Sequence, residues 1–211
     1  MSSIELMDTR EKLIYLRKTL KTTQRALAGD TLTKEFISMV EGGKRNMSRE
    51  VAITVMKNAL NLANEKGIVL GLDEEYLTKS KEDDLCEICD KLHNTMENMD
   101  NFNKIIDYAE ENNYPWAKIV ATKKIGNIFF VNKQVSKAYE KYISCINMID
   151  KLNSNRYKEC VYNCLGSTKF EMLQYEEAII YYEEALNYCY INNRFSTKSN
   201  IQYNLAMAYH T

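Results

Sequence analysis

Proline occurs once in these 211 residues and glycine only seven times. With so few breakers, helix is the regular structure the chain suits best. No apolar run approaches the roughly 20 residues of a membrane span. The first twenty residues lack the apolar core of a secretory signal. Six cysteines without such a signal point to a reducing, cytoplasmic setting and free thiols. A Gly-rich phosphate loop, a nucleophile elbow and paired carboxylates are all missing, and His93 and His210 have no triad partners. Neither catalysis nor a cofactor is therefore expected. The remainder, 45% hydrophobic and 27% charged, describes a globular protein of one or two domains.

The net charge of −1 hides an asymmetry. Residues 1–68 hold twelve Lys and Arg against eight Asp and Glu, whereas residues 69–211 carry a net charge of −5. A basic front and an acidic back suit a nucleic-acid-binding head on a body with another task. An ordinary solvated surface accounts for so small an excess about as well.

The stretch Thr33–Asn46, TKEFISMVEGGKRN, organises the head. Thr33 can cap a short helix in which Ile37 and Val40 share the buried face. Lys34, Glu35, Ser38 and Met39 then point outward, as on a helix that meets base edges in a major groove. Glu35 is unfavourable near phosphate but can accept from a cytosine amino group. Gly42-Gly43 ends the helix, and Lys44, Arg45 and Asn46 follow as donors for phosphate. Upstream, Leu13, Leu16 and Leu20 form one apolar stripe between about Thr9 and Leu20. Thr23 caps a second short helix, with Gln24 at its exposed start as another phosphate donor. Gly29-Asp30 makes the turn, and a last helix runs from Ser48 to Lys66-Gly67 with Ala52, Val55, Ala59 and Leu62 on one face.

Thr23-Gln24, Leu27-Ala28, Ile37-Ser38, Glu41 and Gly43–Asn46 resemble the helix-turn-helix of the phage-repressor-like (XRE-type) family. The resemblance covers residues 9–67 and implies binding to double-stranded DNA. Departures are a turn, Gly29–Leu32, one residue shorter than usual, and Phe36 and Met39 at commonly polar positions. The alternative is a decayed head that serves only dimerisation.

Beyond a connector with a short helical piece, the chain repeats every 40 residues. Gly126, Gly166 and Ala206 are so spaced, as are Ala138 and Ala178, Tyr142 and Tyr182, Cys145 and Ala185, and Gln134 and Gln174. Small residues let two antiparallel helices approach, with the aromatics expected in the groove between neighbouring pairs. Ile125-Gly126…Phe129…Ala138…Tyr142…Cys145 and its copy from Leu165 resemble tetratricopeptide repeats, whose usual length is 34. The extra residues are expected in linkers such as Lys151–Arg156, and Asp83–Glu111 as a degenerate first unit. The expected organisation is all-α: a helix-turn-helix head over 1–67, a connector over 68–82 and helical hairpins over 83–211. Ile201, Leu205, Ala206, Ala208 and Tyr209 are expected to leave the last helix apolar. That pattern implies either further repeats beyond Thr211 or two copies covering each other.

A phage-repressor-like head on such repeats resembles the RRNPP peptide-sensing transcriptional regulators of Gram-positive bacteria. The resemblance implies a homodimer whose repeat surface binds a signalling peptide or protein partner. On this implication the concave positions are Lys123, Asn127, Phe130, Asn163, Ser167, Phe170, Asn200 and Tyr203. Asn can pair with a peptide backbone through both donor and acceptor, and Lys123 can meet a terminal carboxylate. These asparagines are expected to be exposed in the empty groove, although Asn is abundant enough here for some to fall there by chance. Cys86, Cys89 and His93 hint at a metal, but a tetrahedral site needs a fourth ligand, and helical packing explains the spacing. Cys145, Cys160 and Cys164 read as core thiols. The competing function is a protein-interaction module whose head dimerises.

Overall fold

The computed structural model describes residues 6–211, and among these every regular element is helical. The protein is all-α. It divides into two compact units, the first ending at Asp84 and the second starting at Leu85. Residues 1–5, the start of the expected head, lie outside the described residues. No helix among the described residues is long and apolar enough to cross a membrane.

The first unit holds α1 (Thr9–Thr19), α2 (Gln24–Ala28), α3 (Lys34–Glu41) and α4 (Arg49–Glu65). Each begins at a side-chain cap. Asp8 and Glu11 form a reciprocal capping box on α1. Thr23 accepts from the Ala26 N–H at 3.2 Å, Thr33 from Phe36 at 3.1 Å and Ser48 from Val51 at 3.4 Å. Each cap satisfies one orphan donor and is worth about 1 kcal/mol. The apolar stripes converge on one core, where Leu13, Leu16, Leu27, Ile37, Val55 and Met56 are fully buried. The short turn after α2 depends on Gly29, at φ +60, because a Cβ there would lie 2.5 Å from Asn58 Nδ2. That Asn58 amide donates to the Leu27 carbonyl at 3.0 Å.

Residues 68–82 are bound to this unit. Leu77, in a 3-10 turn over Tyr76–Thr78, is buried on its core, with Ile68, Leu70 and Leu72 packed around it. The buried Lys12 ammonium donates to the Tyr76 and Lys79 carbonyls at 3.2 and 2.8 Å and meets Asp84 Oδ2 at 2.7 Å. One α1 side chain thus ties down the whole segment.

The later helices are α5 (Lys81–Lys91), α6 (Met99–Glu111), α7 (Pro115–Val131), α8 (Val135–Lys151), α9 (Lys158–Glu171), α10 (Tyr175–Ile191) and α11 (Phe195–Tyr209). The single proline stands at the first position of α7, where its missing N–H is no loss. The turns recur every twenty residues, each with a residue at positive φ: Asn113, Lys133, Asn153, Leu173 and Asn193. The repeat is therefore two helix-plus-turn units of equal length. This corrects the expectation of long linkers. From α6 onward most connections are three residues, such as Asn132–Gln134 and Met172–Gln174, and the extra residues lengthen the helices. In that part only the link between α8 and α9, which takes in most of the expected Lys151–Arg156 stretch, is longer.

The small and aromatic positions also meet differently from expectation. Tyr142 and Tyr182 each lie across the glycine of their own hairpin, and Tyr142 also meets Cys164 of the next one. A Cβ on Gly126 would come 2.6 Å from the Tyr142 ring, and one on Gly166 equally close to Tyr182. A further contact between hairpins is that of Tyr139, whose hydroxyl lies 3.2 Å from that of Tyr181. On α11, Ile201 and Ala208 are buried against α10 and Leu205 is half-buried, contrary to expectation, while Ala206 and Tyr209 are exposed.

Gly126→Ala and Gly166→Ala are each expected to cost about 1–3 kcal/mol, because the tyrosine must leave its rotamer or the helices must part. Urea denaturation measures this. A loss below about 0.5 kcal/mol, within ordinary surface scatter, would show that the ring moves aside freely.

Candidate functional site

Two surfaces collect the candidate residues. In the first unit, α3 buries Ile37 and Val40 and exposes Lys34, Glu35, Ser38 and Met39 as one row. The helix ends in a Schellman turn. Gly43 takes φ +69, its N–H bonds to the Val40 carbonyl at 2.9 Å, and the Lys44 N–H bonds to Met39 at 2.8 Å. The turn projects Lys44, Arg45 and Asn46 into solvent directly beyond α3. Arg45 stacks 4.8 Å above the ring of Phe36, which is half-buried on the core. Such cation–π contacts are worth about 0.5–1 kcal/mol at exposed sites and restrict where the guanidinium can go.

Gln24 differs from expectation. It is half-buried, and its amide nitrogen donates to Glu41 Oε2 at 2.7 Å. Arg17 Nε donates to the other Glu41 oxygen at 2.7 Å, and Arg10 Nε donates to the Glu41 backbone carbonyl at 2.6 Å. Glu41, only 8% exposed, thereby locks α1 and α2 to the end of α3. The same network brings Arg10, unremarked in the sequence, to a cleft of about 460 Å³ that it shares with Gly43, Arg45 and Asn46. No spacing pattern announces such a contact, because its partners lie 17 to 31 residues apart.

In the second unit, a cleft of about 200 Å³ brings together Asn127, Phe130, Asn163 and Ser167, with Asn94 and Cys164 beside them. Lys123 stands one helical turn before Asn127 on α7. Asn127 and Asn163 are half-buried and already bonded, which corrects the expectation of exposed, free amides. Asn127 Oδ1 accepts from the Tyr142 hydroxyl at 2.8 Å, and Asn163 Oδ1 accepts from Asn204 Nδ2 at 3.1 Å. Ser167 accepts from the Tyr182 hydroxyl at 3.2 Å and donates to the Asn163 carbonyl at 3.1 Å. Phe170 stands outside the cleft lining, edge-on to Tyr175 with ring centroids 5.2 Å apart. Asn200 and Tyr203 are exposed on α11, also outside that lining; the α11 residue that reaches Asn163 is Asn204.

Burial dominates the titration of this region. It raises the Tyr142 hydroxyl strongly and pushes Cys145 to about 12 and Cys160 to about 11, with Cys164 also raised. These thiols are protonated at neutral pH. Cys86 and Cys89 are buried on α5, where burial pushes Cys89 to about 12, and His93 is exposed. No group of three His, Cys, Asp or Glu among the described residues could hold a metal ion.

No protein-family model matches the chain, and no curated protein matches it either. Among solved structures, that of Bacillus thuringiensis PlcR in complex with the peptide PapR7 and DNA is similar over 95% of this chain and 86% of that one. The two are 12% identical, with a TM-score of 0.44. A likeness of that degree assigns no role to any residue here.

Two substitutions test these networks. Glu41→Ala removes the acceptor of Arg17 and Gln24 and is expected to destabilise the protein by about 2–4 kcal/mol, somewhat below a fully buried pair because Arg17 is partly solvated. Chemical denaturation would reveal a merely superficial pair as a loss under about 1 kcal/mol. Asn127→Ala strips the buried Tyr142 hydroxyl of its acceptor, and a loss of about 1–3 kcal/mol is expected. In the Tyr142→Phe background the same change should cost much less, and an equal cost in both backgrounds would show that the hydrogen bond contributes nothing.

Proposed function

We propose that the protein is a sequence-specific DNA-binding transcriptional regulator whose repeat body senses a short peptide or protein partner. The observation that carries this reading is the α3 surface: a row of exposed side chains on a core-anchored helix, ending in a rigid turn that carries Lys44, Arg45 and Asn46. A helix so held can enter a major groove, with Lys34, Glu35, Ser38 and Met39 toward base edges and the turn toward phosphates. Arg10, held against the same turn, joins the phosphate donors. Gln24 contributes through whatever its Glu41 bond leaves available. As a homodimer, two such heads would meet half-sites about one DNA turn apart, roughly 34 Å. In the body, the cleft that groups Asn127, Phe130, Asn163 and Ser167 offers polar groups and an apolar wall to an extended chain.

Mobility shifts with genomic fragments at several salt concentrations are the direct test. Lys44→Ala and Arg45→Ala should each weaken binding to all fragments alike and reduce the magnitude of the log–log salt slope by about 1. Met39→Ala should instead alter which fragments are preferred. Unchanged binding by the Lys44/Arg45 double mutant would remove DNA from the assignment and leave the body as a protein-interaction module.

A further inference from the structure

The first unit holds five arginines, and four of them are spent on the protein itself. Arg10 and Arg17 donate to Glu41, Arg25 to the Leu32 carbonyl and Arg49 to Glu75. Arg45 has no hydrogen-bond or ion-pair partner among the described residues. What it has instead is the ring of Phe36, 4.8 Å from its guanidinium carbon.

Both sides of this contact are held from behind. Phe36 lies in the first turn of α3, where its N–H donates to the Thr33 cap at 3.1 Å, and its ring packs half-buried on the core. Arg45 follows the turn fixed by Gly43 at φ +69 and by the Lys44 N–H on the Met39 carbonyl at 2.8 Å. Because α3 ends at Glu41, the Arg45 side chain reaches back along the helix to arrive over Phe36. Without the ring, a long exposed arginine samples many rotamers, and a ligand must bear the cost of arresting it. Stacking engages only the flat face of the guanidinium. Its five N–H donors lie in the plane and stay available, and a phosphate can take two of them in parallel.

We propose that Phe36 is a positioning residue for DNA binding, whose ring holds Arg45 in the plane from which it donates to a backbone phosphate. The inference deepens the DNA-binding reading and rests on it. It divides the basic turn into a fixed donor, Arg45, and a free one, Lys44, which is exposed and has no ring beneath it. The division suits the two chemistries. A guanidinium bonds through a planar fork whose orientation matters, whereas an ammonium is a compact charge that needs no fixed plane.

The test is a double-mutant cycle on the full chain, read by mobility shifts of genomic fragments at several salt concentrations. Phe36→Leu keeps an apolar side chain on the core but removes the π face. It should weaken binding about 2- to 10-fold, the equivalent of ordering one side chain. The log–log salt slope should stay the same, because the same phosphates are still neutralised. Arg45→Ala should lower both affinity and slope, and in that background Phe36→Leu should cost nothing further. Phe36→Tyr, which restores the ring, should bind as the unaltered protein does. An equal cost of Phe36→Leu in both backgrounds would make the ring merely structural, and undiminished affinity would make the stack idle; either overturns the proposal. Should Phe36→Leu fail to fold, Arg45→Lys reads the same point: it keeps the charge and the slope but loses the planar fork, and full affinity would overturn the proposal. Proton NMR without DNA separates this inference from the reading beneath it. The Phe36 ring current should move the Arg45 Hδ resonances upfield, and Phe36→Leu should return them. Unshifted resonances in the unaltered protein would refute the stack whatever the DNA result. Shifted resonances with no fragment bound at any salt would overturn the DNA role itself and leave only the stack.

Discussion

Helices α7 and α8, and likewise α9 and α10, can pair as closely as they do only because Gly126 and Gly166 carry no side chain. With no Cβ in the way, the rings of Tyr142 and Tyr182 lie directly on the α7 and α9 backbones. The rings cannot stop there, because each ends in a hydroxyl that needs a partner once buried. The next residue along supplies it, Asn127 in one hairpin and Ser167 in the other. A packing constraint in the hairpin core thus emerges as polarity on the cleft floor. The forty-residue period and the chemistry of the candidate ligand surface have one origin.

Local physics makes much of this legible. Thr23, Thr33 and Ser48 announce their helices because capping depends only on neighbours. The Leu13–Leu16–Leu20 stripe and the Ile37/Val40 face are readable because helical period maps sequence directly onto burial. Gln24 is not, because its fate is decided by Glu41, which reaches it only after α2 and α3 have packed. Asn94 is equally hidden, since an irregular segment has no period from which orientation can be read. The expected clustering of Asn127, Phe130, Asn163 and Ser167 comes from repeat spacing, but spacing says nothing about whether a side chain is already bonded. Extended to α11, the same spacing points to Asn200 and Tyr203, whereas Asn204 is the residue that reaches α9.

Scarce glycine proves compatible with many turns. The turns after α6 to α10 use Asn113, Lys133, Asn153, Leu173 and Asn193 at positive φ, where a non-glycine residue costs about 1 kcal/mol. Asparagine bears that conformation best among the side-chain-bearing residues, which accounts for part of the chain's asparagine content without any ligand. A ligand role for the groove asparagines therefore rests on their contacts, not on their abundance.

Those contacts decide what a ligand can gain. A chain entering the cleft and pairing with Asn127 or Asn163 must displace Tyr142 or Asn204 from them, so one hydrogen bond is exchanged for another and the net gain is small. Displacing Asn204 would also release an α9–α11 tie, and displacing Tyr142 would orphan a hydroxyl on a residue that is 2% exposed. On the proposed reading affinity would come from groups with nothing to lose: the apolar wall at Phe130 and Val131 and the unpaired Asn94 oxygen. In the head the order is reversed. There Glu41 has both carboxylate oxygens engaged and Arg45 is parked on Phe36, so the donors stand arranged before any ligand arrives and little ordering cost remains for binding. On the proposed reading the head would bind as it stands, whereas a ligand in the body cleft would exchange bonds and so alter internal contacts.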